Sequence, residues 1–144
     1  KNKNPKFTLD LIIELSKLDY KINVIDSDNY LQKQKNIKFT SENITLFKDI
    51  DYSQLQNLFK QNQTYIHSSE YETVGLPIYE ALNNGLNVVM PDREYFQLDV
   101  HNVFKYKSNN LASAVTACKI SATKPHSKSV NVPIYYEDWN LNFQ

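Results

Sequence analysis

Two acids and a glycine in the segment YETVGLPIYEALNNGLNVV, residues 71–89, have the types and spacing that could do chemistry. The chain holds two glycines, and Gly75 stands where a loop is expected to become a helix. A glycine there can take a positive φ and lets a ligand approach the backbone. We expect the amides of Gly75, Leu76 and Ile78 to be free and to form an anion site with a favourable helix dipole. Gly85 is expected to end the same helix as a left-handed cap.

Glu72 lies in the loop before this helix, and Glu80 lies about one turn into it, with seven residues between the two acids. A carboxylate repels a phosphate, but it accepts hydrogen bonds from sugar hydroxyls. An anion on the amides and hydroxyls on both acids together describe a nucleotide sugar. The alternative is that both acids only favour the helix N-terminus electrostatically and that Gly75 is a turn glycine. The spacing alone leaves both interpretations open.

The elements that must position these residues are short strands and amphipathic helices. Five short segments that contain β-branched residues predict strands. They are YKINVIDSD, NITLFKDI, TYIHSS, LNVVMPD and NVFKYK. The predicted helices are KFTLDLIIELSKL, DYSQLQNLFKQN, GLPIYEALNNG, LASAVTACKI and the closing IYYEDWNLNF. This order predicts an α/β fold with a Rossmann-like, doubly wound parallel sheet. Gly75 then lies at the carboxyl edge, where such sheets bind ligands. Candidate N-caps are Asp51 or Ser53 for the second helix and Asn109 or Asn110 for the fourth.

Composition excludes several classes of partner. The formal net charge is zero and the lysines are scattered, so we expect no nucleic-acid partner. The single cysteine, Cys118, cannot form an internal disulfide and favours a reducing compartment; its place in an apolar helix predicts a core residue. No apolar run approaches the ~20 residues of a membrane span, and the polar start KNKNPK is unlike a signal peptide. We therefore expect a cytoplasmic protein.

The segment YIHSSEYETVGLPIYEALNNGLNVVMPD resembles the donor site of retaining GT-B glycosyltransferases of the group 1, family 4-like kind. That family has an acid, a glycine-rich turn, Leu-Pro, a second acid, and a glycine before the next strand. The matching positions are Glu72, Gly75, Leu76, Pro77, Glu80, Ala81, Gly85 and Val88-Val89. The departures are Ser68-Ser69 for Pro-Ser, Thr73 for the first glycine of the turn, and Lys48 for a glycine common at the end of the preceding strand.

The resemblance covers roughly residues 3–119 and implies a domain organisation. Residues 1–124 would be the nucleotide-sugar-binding, C-terminal half of a GT-B fold, with its first strand missing because the chain opens with a helix. Residues 125–144 would be a tail or helix that packs on an N-terminal domain outside this chain. Its aromatic residues fall near one helical face and could instead lie on a membrane surface; they are Tyr135, Tyr136, Trp139 and Phe143.

The resemblance also implies roles for single residues. Glu72 would be the catalytic residue, in contact with the donor sugar near its reacting carbon. The turn would hold the diphosphate or the sugar through Thr73, Val74, Gly75 and Leu76. Glu80 would bind the ribose hydroxyls, and the base would meet the backbone at Asp49 and Ile50. Lys3 would neutralise phosphate, with Lys1 and Lys6 as alternatives.

The implied function is transfer of a sugar, with retention, from a nucleotide-diphosphate sugar to a polysaccharide or lipid-linked acceptor in a bacterium, with neither metal nor cofactor. The acceptor would bind the N-terminal domain of the full-length enzyme, which could associate peripherally with the inner face of the membrane. The fragment alone is expected to bind donor weakly and to transfer nothing. Two alternatives stay open: a GT-B-like sugar-nucleotide epimerase, and a non-catalytic Rossmann-like interaction module.

Other residues carry weaker signals. Asp26 and Asp28 follow a strand as in the metal sites of GT-A glycosyltransferases, although a polar turn is the commoner meaning of such a pair. His67, at the end of a strand, could reach a ligand or be packed. Arg93 could meet a phosphate or solvent. The other histidines lack partners at ligand spacing, so the sequence predicts no zinc site.

Overall fold

A computed structural model describes residues 4–26, 33, 42–97 and 99–125. The helices are α1 (Pro5–Ser16), α2 (Tyr52–Gln61), α3 (Leu76–Asn83) and α4 (Leu111–Thr123). The strands are β1 (Ile22–Ile25), β2 (Ile44–Phe47), β3 (Thr64–Ile66), β4 (Asn87–Pro91) and β5 (Val103–Tyr106). Within the described residues, every predicted strand and helix is present. The predicted closing helix and the tail from residue 126 onward lie outside them. No described helix has the length and apolar character needed to span a membrane.

The strand pairs are all parallel. β1 pairs with β2, with Ile22 opposite Ile44. β4 lies between β3 and β5, with Thr64 opposite Asn87 and Val88 opposite Val103. This confirms the predicted Rossmann-like α/β class. One difference is that the described strands form two ladders rather than one continuous sheet, because β1 and β3 are not paired.

The central strand β4 is buried along its whole length and joins two layers of core. Val88 and Met90 pack in one cluster with Leu82 of α3 and Phe59 of α2. Val89, whose side chain points to the opposite face, packs in a second cluster with residues of α1 and α4. Each such side chain contributes about 1.5–3 kcal/mol by leaving water. Helices on both faces give the predicted doubly wound arrangement, and they fix the loop that follows β3.

Side-chain caps fix where two of the helices begin. Asp51 is the N-cap of α2, and it forms a capping box in which its side chain accepts from the Gln54 amide while the Gln54 side chain accepts from the Asp51 amide, both at 2.8 Å. Ser53, the other candidate, lies inside the helix. Asn110 rather than Asn109 caps α4, because its side chain accepts from the Ser113 amide at 2.9 Å.

One helix and one strand are shorter in the structure than the sequence predicted. α1 ends at Ser16 and not at Leu18, because the chain turns at Asp19, which takes a left-handed φ of 64°. β3 ends at Ile66 instead of running through TYIHSS. The His67 amide still donates to the Val89 carbonyl at 2.8 Å, and the chain then leaves the ladder. His67 therefore stands at the carboxyl edge, where the site loop begins.

A cleft of about 890 Å³ separates β1 from β3. Its two faces are apolar, with Leu11, Ile12 and Leu15 from α1 and Leu55, Leu58 and Phe59 from α2. Among the described strands, neither β1 nor β3 has a ladder partner on the side that faces the cleft. The Ile22 amide donates to the Asn43 carbonyl directly before β2, and the Asp26 amide, directly after β1, donates to the Phe47 carbonyl. Because successive amides alternate in direction along a strand, those of Asn23 and Ile25 point toward the cleft. The cleft thus has apolar walls and two strand edges.

Candidate functional site

The N-terminus of α3 carries three successive amides that could bind an anion. Gly75 caps the helix with φ 76° and ψ 47°, the left-handed conformation predicted for it. The amides of Val74, Gly75 and Leu76 donate no backbone hydrogen bond to a described residue. The prediction of a free amide at Ile78 is wrong, because that amide donates to the Gly75 carbonyl at 3.0 Å and closes the first turn. The candidate anion site therefore comprises residues 74–76.

Gly75 cannot take a side chain without strain. Its positive φ costs other residues about 1–2 kcal/mol. A Cβ at this position would also lie 3.1 Å from Cδ1 of Ile78 and 3.9 Å from Cβ of Glu72. The glycine is thus required by backbone conformation, and the first acid of the site lies directly beside it.

The carboxylate of Glu72 lies against His67. Glu72 Oε1 is 3.0 Å from His67 Nε2, with the histidine side chain 6% exposed and the glutamate side chain 29% exposed. The ring N–H points off the line to this oxygen, so the contact is electrostatic rather than an aligned hydrogen bond. On the other side of the ring, Nδ1 is hydrogen-bonded to the Tyr65 hydroxyl at 2.9 Å. Burial lowers the pKa of His67 although Glu72 opposes the shift, so the ring is neutral at neutral pH.

The loop between β3 and α3 is tied down at its first residues. The Tyr95 hydroxyl donates to the Ser69 carbonyl at 2.7 Å. The hydroxyls of Ser68 and Thr8 hydrogen-bond to each other and join the loop to α1. Both serines are buried. The Ser68-Ser69 pair, a departure from the family's Pro-Ser, therefore still anchors the loop that carries Glu72.

Glu80 is the second acid of the site, and α2 holds it. Glu80 Oε2 accepts a hydrogen bond from Gln56 Nε2 at 3.1 Å, and Gln56 Oε1 accepts from Asn84 Nδ2 at 3.1 Å. Burial raises the pKa of the Glu80 carboxyl above its usual range, and the bond from Gln56 opposes that shift.

The charges of both acids affect the pKa of Tyr65. Burial raises the pKa of Tyr65, and the charge of Glu72 raises it further, as does the charge of Glu80. Glu72 lies directly beside Gly75, and Glu80 belongs to the helix that Gly75 begins.

The remaining predicted site residues lie at the edge of this region or beyond it. Asp49 and Ile50 directly precede the N-cap of α2, the helix that carries Gln56 to Glu80. Thr73 is part of the turn before Gly75. Lys3 lies outside the described residues. Its neighbour Asn4 donates from Nδ2 to Asn109 at 2.9 Å, beside the start of α4.

Comparison with protein families gives a match over residues 1–102 to the family described as Glycosyl transferases group 1. The match covers more than half of the 144 residues and includes the whole segment with both acids and Gly75. This chain belongs to the group 1 glycosyltransferases. A comparison with curated proteins finds no match. The parallel α/β layers are thus those of a domain whose family transfers glycosyl groups.

The structure describes three of the four residues that were weaker candidates in the sequence of this glycosyltransferase domain. Asp26 is 6% exposed at the end of β1, and its predicted companion Asp28 lies outside the described residues. Residues 4–26, 33, 42–97 and 99–125 contain no group of three or more His, Cys, Asp or Glu that could hold a metal ion. Arg93 Nη1 lies 3.5 Å from Glu70 Oε1 and so has an acid as its partner. Cys118 is buried as predicted, and burial raises the pKa of its thiol to about 12.

Three residues around the candidate site were not predicted from sequence: Gln56, Tyr65 and Tyr95. Tyr65 and His67 are two residues apart on an extended segment, so the period-two rule places both side chains on one face and could have linked them. Gln56 carried no such signal, because its contact with Glu80 spans 24 residues and depends on how α2 packs on α3.

Proposed function

We propose that this chain is the donor-binding, C-terminal half of a retaining GT-B glycosyltransferase whose donor is a nucleotide-diphosphate sugar. One arrangement carries the proposal: amides at residues 74–76 that donate no backbone hydrogen bond to a described residue begin the helix that carries Glu80, and Glu72 lies directly beside Gly75. Amides at a helix N-terminus suit a diphosphate, and carboxylates suit hydroxyls.

In the proposed reaction, the bond between the sugar's anomeric carbon and the diphosphate oxygen breaks. An acceptor hydroxyl transfers its proton to the departing diphosphate oxygen and forms the new glycosidic bond on the same face of the sugar. The departing diphosphate gains negative charge, and the amides of Val74, Gly75 and Leu76 stabilise that charge from fixed positions. Glu72 holds the sugar near its reacting carbon. We assign Lys3 the role of supplying a positive charge that neutralises the phosphates.

Glu80 is the proposed ligand of the ribose hydroxyls. Gln56 occupies its Oε2, so Oε1 is available to accept from a hydroxyl. The base would then lie toward the start of α2, against the backbone of Asp49 and Ile50. This places the nucleotide along the carboxyl edge, from α3 toward α2.

The cleft between β1 and β3 supports the proposal that residues 1–124 form part of a larger two-domain fold. A strand residue fills roughly 160 Å³, given a rise of about 3.3 Å, a strand spacing of about 4.8 Å and a layer of about 10 Å. The cleft of about 890 Å³ thus has room for one strand of five or six residues. Apolar walls on both faces suit a central parallel strand. We assign the cleft to a strand of the full-length polypeptide that leads into α1, since Pro5 borders the cleft.

The acceptor and the location extend the same proposal. A polysaccharide or lipid-linked glycan would bind an N-terminal domain, and the full-length enzyme would work in the bacterial cytoplasm at the inner face of the membrane. These assignments rest on the family resemblance. A radiolabelled transfer assay with the full-length enzyme, on isolated membranes and on free glycans, tests them. Transfer to neither would contradict the acceptor assignment.

Calorimetry with UDP and GDP tests the donor assignment. We expect at least one nucleotide to bind the wild-type chain. Glu80→Ala should weaken that binding about 10- to 100-fold, because it removes hydrogen bonds to a charged group. Glu94→Ala, an exposed acid after β4, is the control and should bind as the wild type does. Equal heats from wild type and Glu80→Ala would remove Glu80 from the ribose role. Binding of neither nucleotide would favour the non-catalytic interaction module.

A further inference from the structure

We propose that His67, itself held by Tyr65, is a positioning residue that sets the orientation of the Glu72 carboxylate toward the donor sugar. This inference rests on the proposed function and adds to it two residues with no assigned role. It depends on a continuous series of contacts: the Tyr65 hydroxyl to His67 Nδ1 at 2.9 Å, and His67 Nε2 to Glu72 Oε1 at 3.0 Å.

The charge of Glu72 decides which tautomer of His67 fits. A neutral imidazole has one N–H and one lone pair. A lone pair on Nε2 would face a carboxylate oxygen 3.0 Å away and repel it. The proton therefore belongs on Nε2, and the Tyr65 hydroxyl must donate to Nδ1. Burial raises the pKa of Tyr65, which keeps its hydroxyl protonated and able to donate.

The histidine is fixed to the parallel strands, whereas the glutamate is not. The His67 amide donates to the Val89 carbonyl of β4 at 2.8 Å, and its side chain is 6% exposed. The Tyr65 ring packs edge-on against Phe59, with the ring centroids 5.8 Å apart. The Glu72 side chain is 29% exposed and belongs to the loop between β3 and α3. A rigid histidine beside a loop acid reduces the orientations that the acid can take, and so prepares it for the sugar.

The off-axis approach of the His67 N–H is consistent with a site that tightens when it is filled. Catalytic hydrogen bonds are often long or misaligned in a free protein and shorten in the complex. A small rotation of the Glu72 side chain would align its oxygen with Nε2–H. The other carboxylate oxygen would then be available to accept from a sugar hydroxyl. The rings of two ionisable residues, Tyr65 and Tyr95, also lie near the imidazole, with centroids 5.7 and 6.3 Å from it.

The tautomer is tested by ¹⁵N NMR of the imidazole nitrogens in the 144-residue chain. We expect Nε2 of His67 to carry the proton in wild type, and Glu72→Ala to weaken that preference. A proton on Nδ1 in wild type would overturn the inference. This measurement needs no ligand, so it stands apart from the test of nucleotide binding.

The positioning role is tested by the ratio of affinities for a sugar nucleotide and its parent nucleotide, UDP-glucose against UDP and GDP-mannose against GDP. The substitution His67→Leu removes the contact with Glu72. It should lower this ratio about fivefold, as expected for a lost hydrogen bond of ~1 kcal/mol, and leave the affinity for the parent nucleotide unchanged. His67→Gln, whose amide can donate from the same place, should keep the ratio within about twofold. Melting temperatures of both variants report on folding.

The outcomes separate the two proposals. Wild-type binding with an unchanged ratio in His67→Leu overturns the positioning role alone. A ratio lowered equally in His67→Gln and His67→Leu also overturns it, because donation to Glu72 would then not be the cause. Failure of the wild type to bind either nucleotide or sugar nucleotide contradicts the proposed function, and the positioning role falls with it.

Discussion

Gln56 Nε2 donates a hydrogen bond to Glu80 Oε2 at 3.1 Å, and this contact joins α2 to α3 beside the candidate site. The orientation of the Gln56 amide is set by Asn84, whose Nδ2 donates to Gln56 Oε1. The same Asn84 group also lies 2.8 Å from the Glu80 carbonyl. Gln56 therefore holds Glu80 through Oε2, which leaves Oε1 as the carboxylate oxygen that could meet a ligand.

Replacing Glu80 with glutamine should change how stability depends on pH. Burial raises the pKa of Glu80 in the folded protein above its ordinary value of 4.5. Stability from its neutral form is fully present below that value and is lost as pH rises through the raised pKa. Relative to wild type, Glu80→Gln should therefore gain stability as pH rises from about 4.5 toward neutrality. Urea unfolding of both proteins across this range measures the difference. A difference that does not vary with pH would contradict the buried carboxyl.

Gly75→Ala should lose both stability and nucleotide binding. The positive φ of 76° predicts a loss of about 1–2 kcal/mol. The strain falls on the amides that would hold the diphosphate, so affinity for UDP or GDP should fall at least about tenfold. Gly85→Ala is the matched control, because Gly85 also has a positive φ, of 82°, at the far end of α3. It should lose similar stability and keep normal binding. Parallel loss of binding in both variants would mean that destabilisation of α3, and not the amides, is responsible.

Asp51→Ala should destabilise the protein by about 1 kcal/mol, because it removes the N-cap of α2. Chemical denaturation measures this loss. Ser53→Ala, an exposed substitution within the first turn, is the control and should change stability by less than about 0.5 kcal/mol. If the two variants unfold alike, the capping box does not hold the start of α2, and it cannot support the proposed base-binding role of the backbone at residues 49–50.

Tyr95→Phe should cost about 1 kcal/mol, because it leaves the Ser69 carbonyl without the hydroxyl that now lies 2.7 Å away. Thermal unfolding provides the measurement. Tyr71→Phe is the matched control: its side chain is 58% exposed on the same loop, so its stability should stay close to that of wild type. An equal effect of the two substitutions would show that the Tyr95 bond does not anchor the loop.

The sequence predicted the fold class well because local signals and burial agreed. The run Val88-Val89-Met90 is continuous and apolar, as a strand with both faces covered must be, and these residues are fully buried in β4. Gly75 and Gly85 both have the predicted positive φ, because no other residue adopts it so cheaply. Helix ends were less accurate. The turn at Asp19 shortens α1, and nothing in the apolar periodicity marks it.

The candidate site was predicted in part. The acids and the turn follow a pattern within one segment, so the sequence alone could propose them. The supports of those acids come from elsewhere: Gln56 from α2 and Tyr95 from the loop after β4. Contacts between distant segments depend on packing, which one sequence does not reveal. The error at Ile78 arose because the first turn of α3 uses that amide for its own closing hydrogen bond.

The most direct test is an NMR titration of the ¹⁵N-labelled chain with UDP and GDP. If the site binds a nucleotide diphosphate as proposed, the backbone amide signals of Val74, Gly75 and Leu76 shift with one of the nucleotides, and the Ile78 signal shifts less because its proton is already bonded to Gly75. Saturation without movement of the signals from residues 74–76, or shifts confined to another surface, would contradict the account.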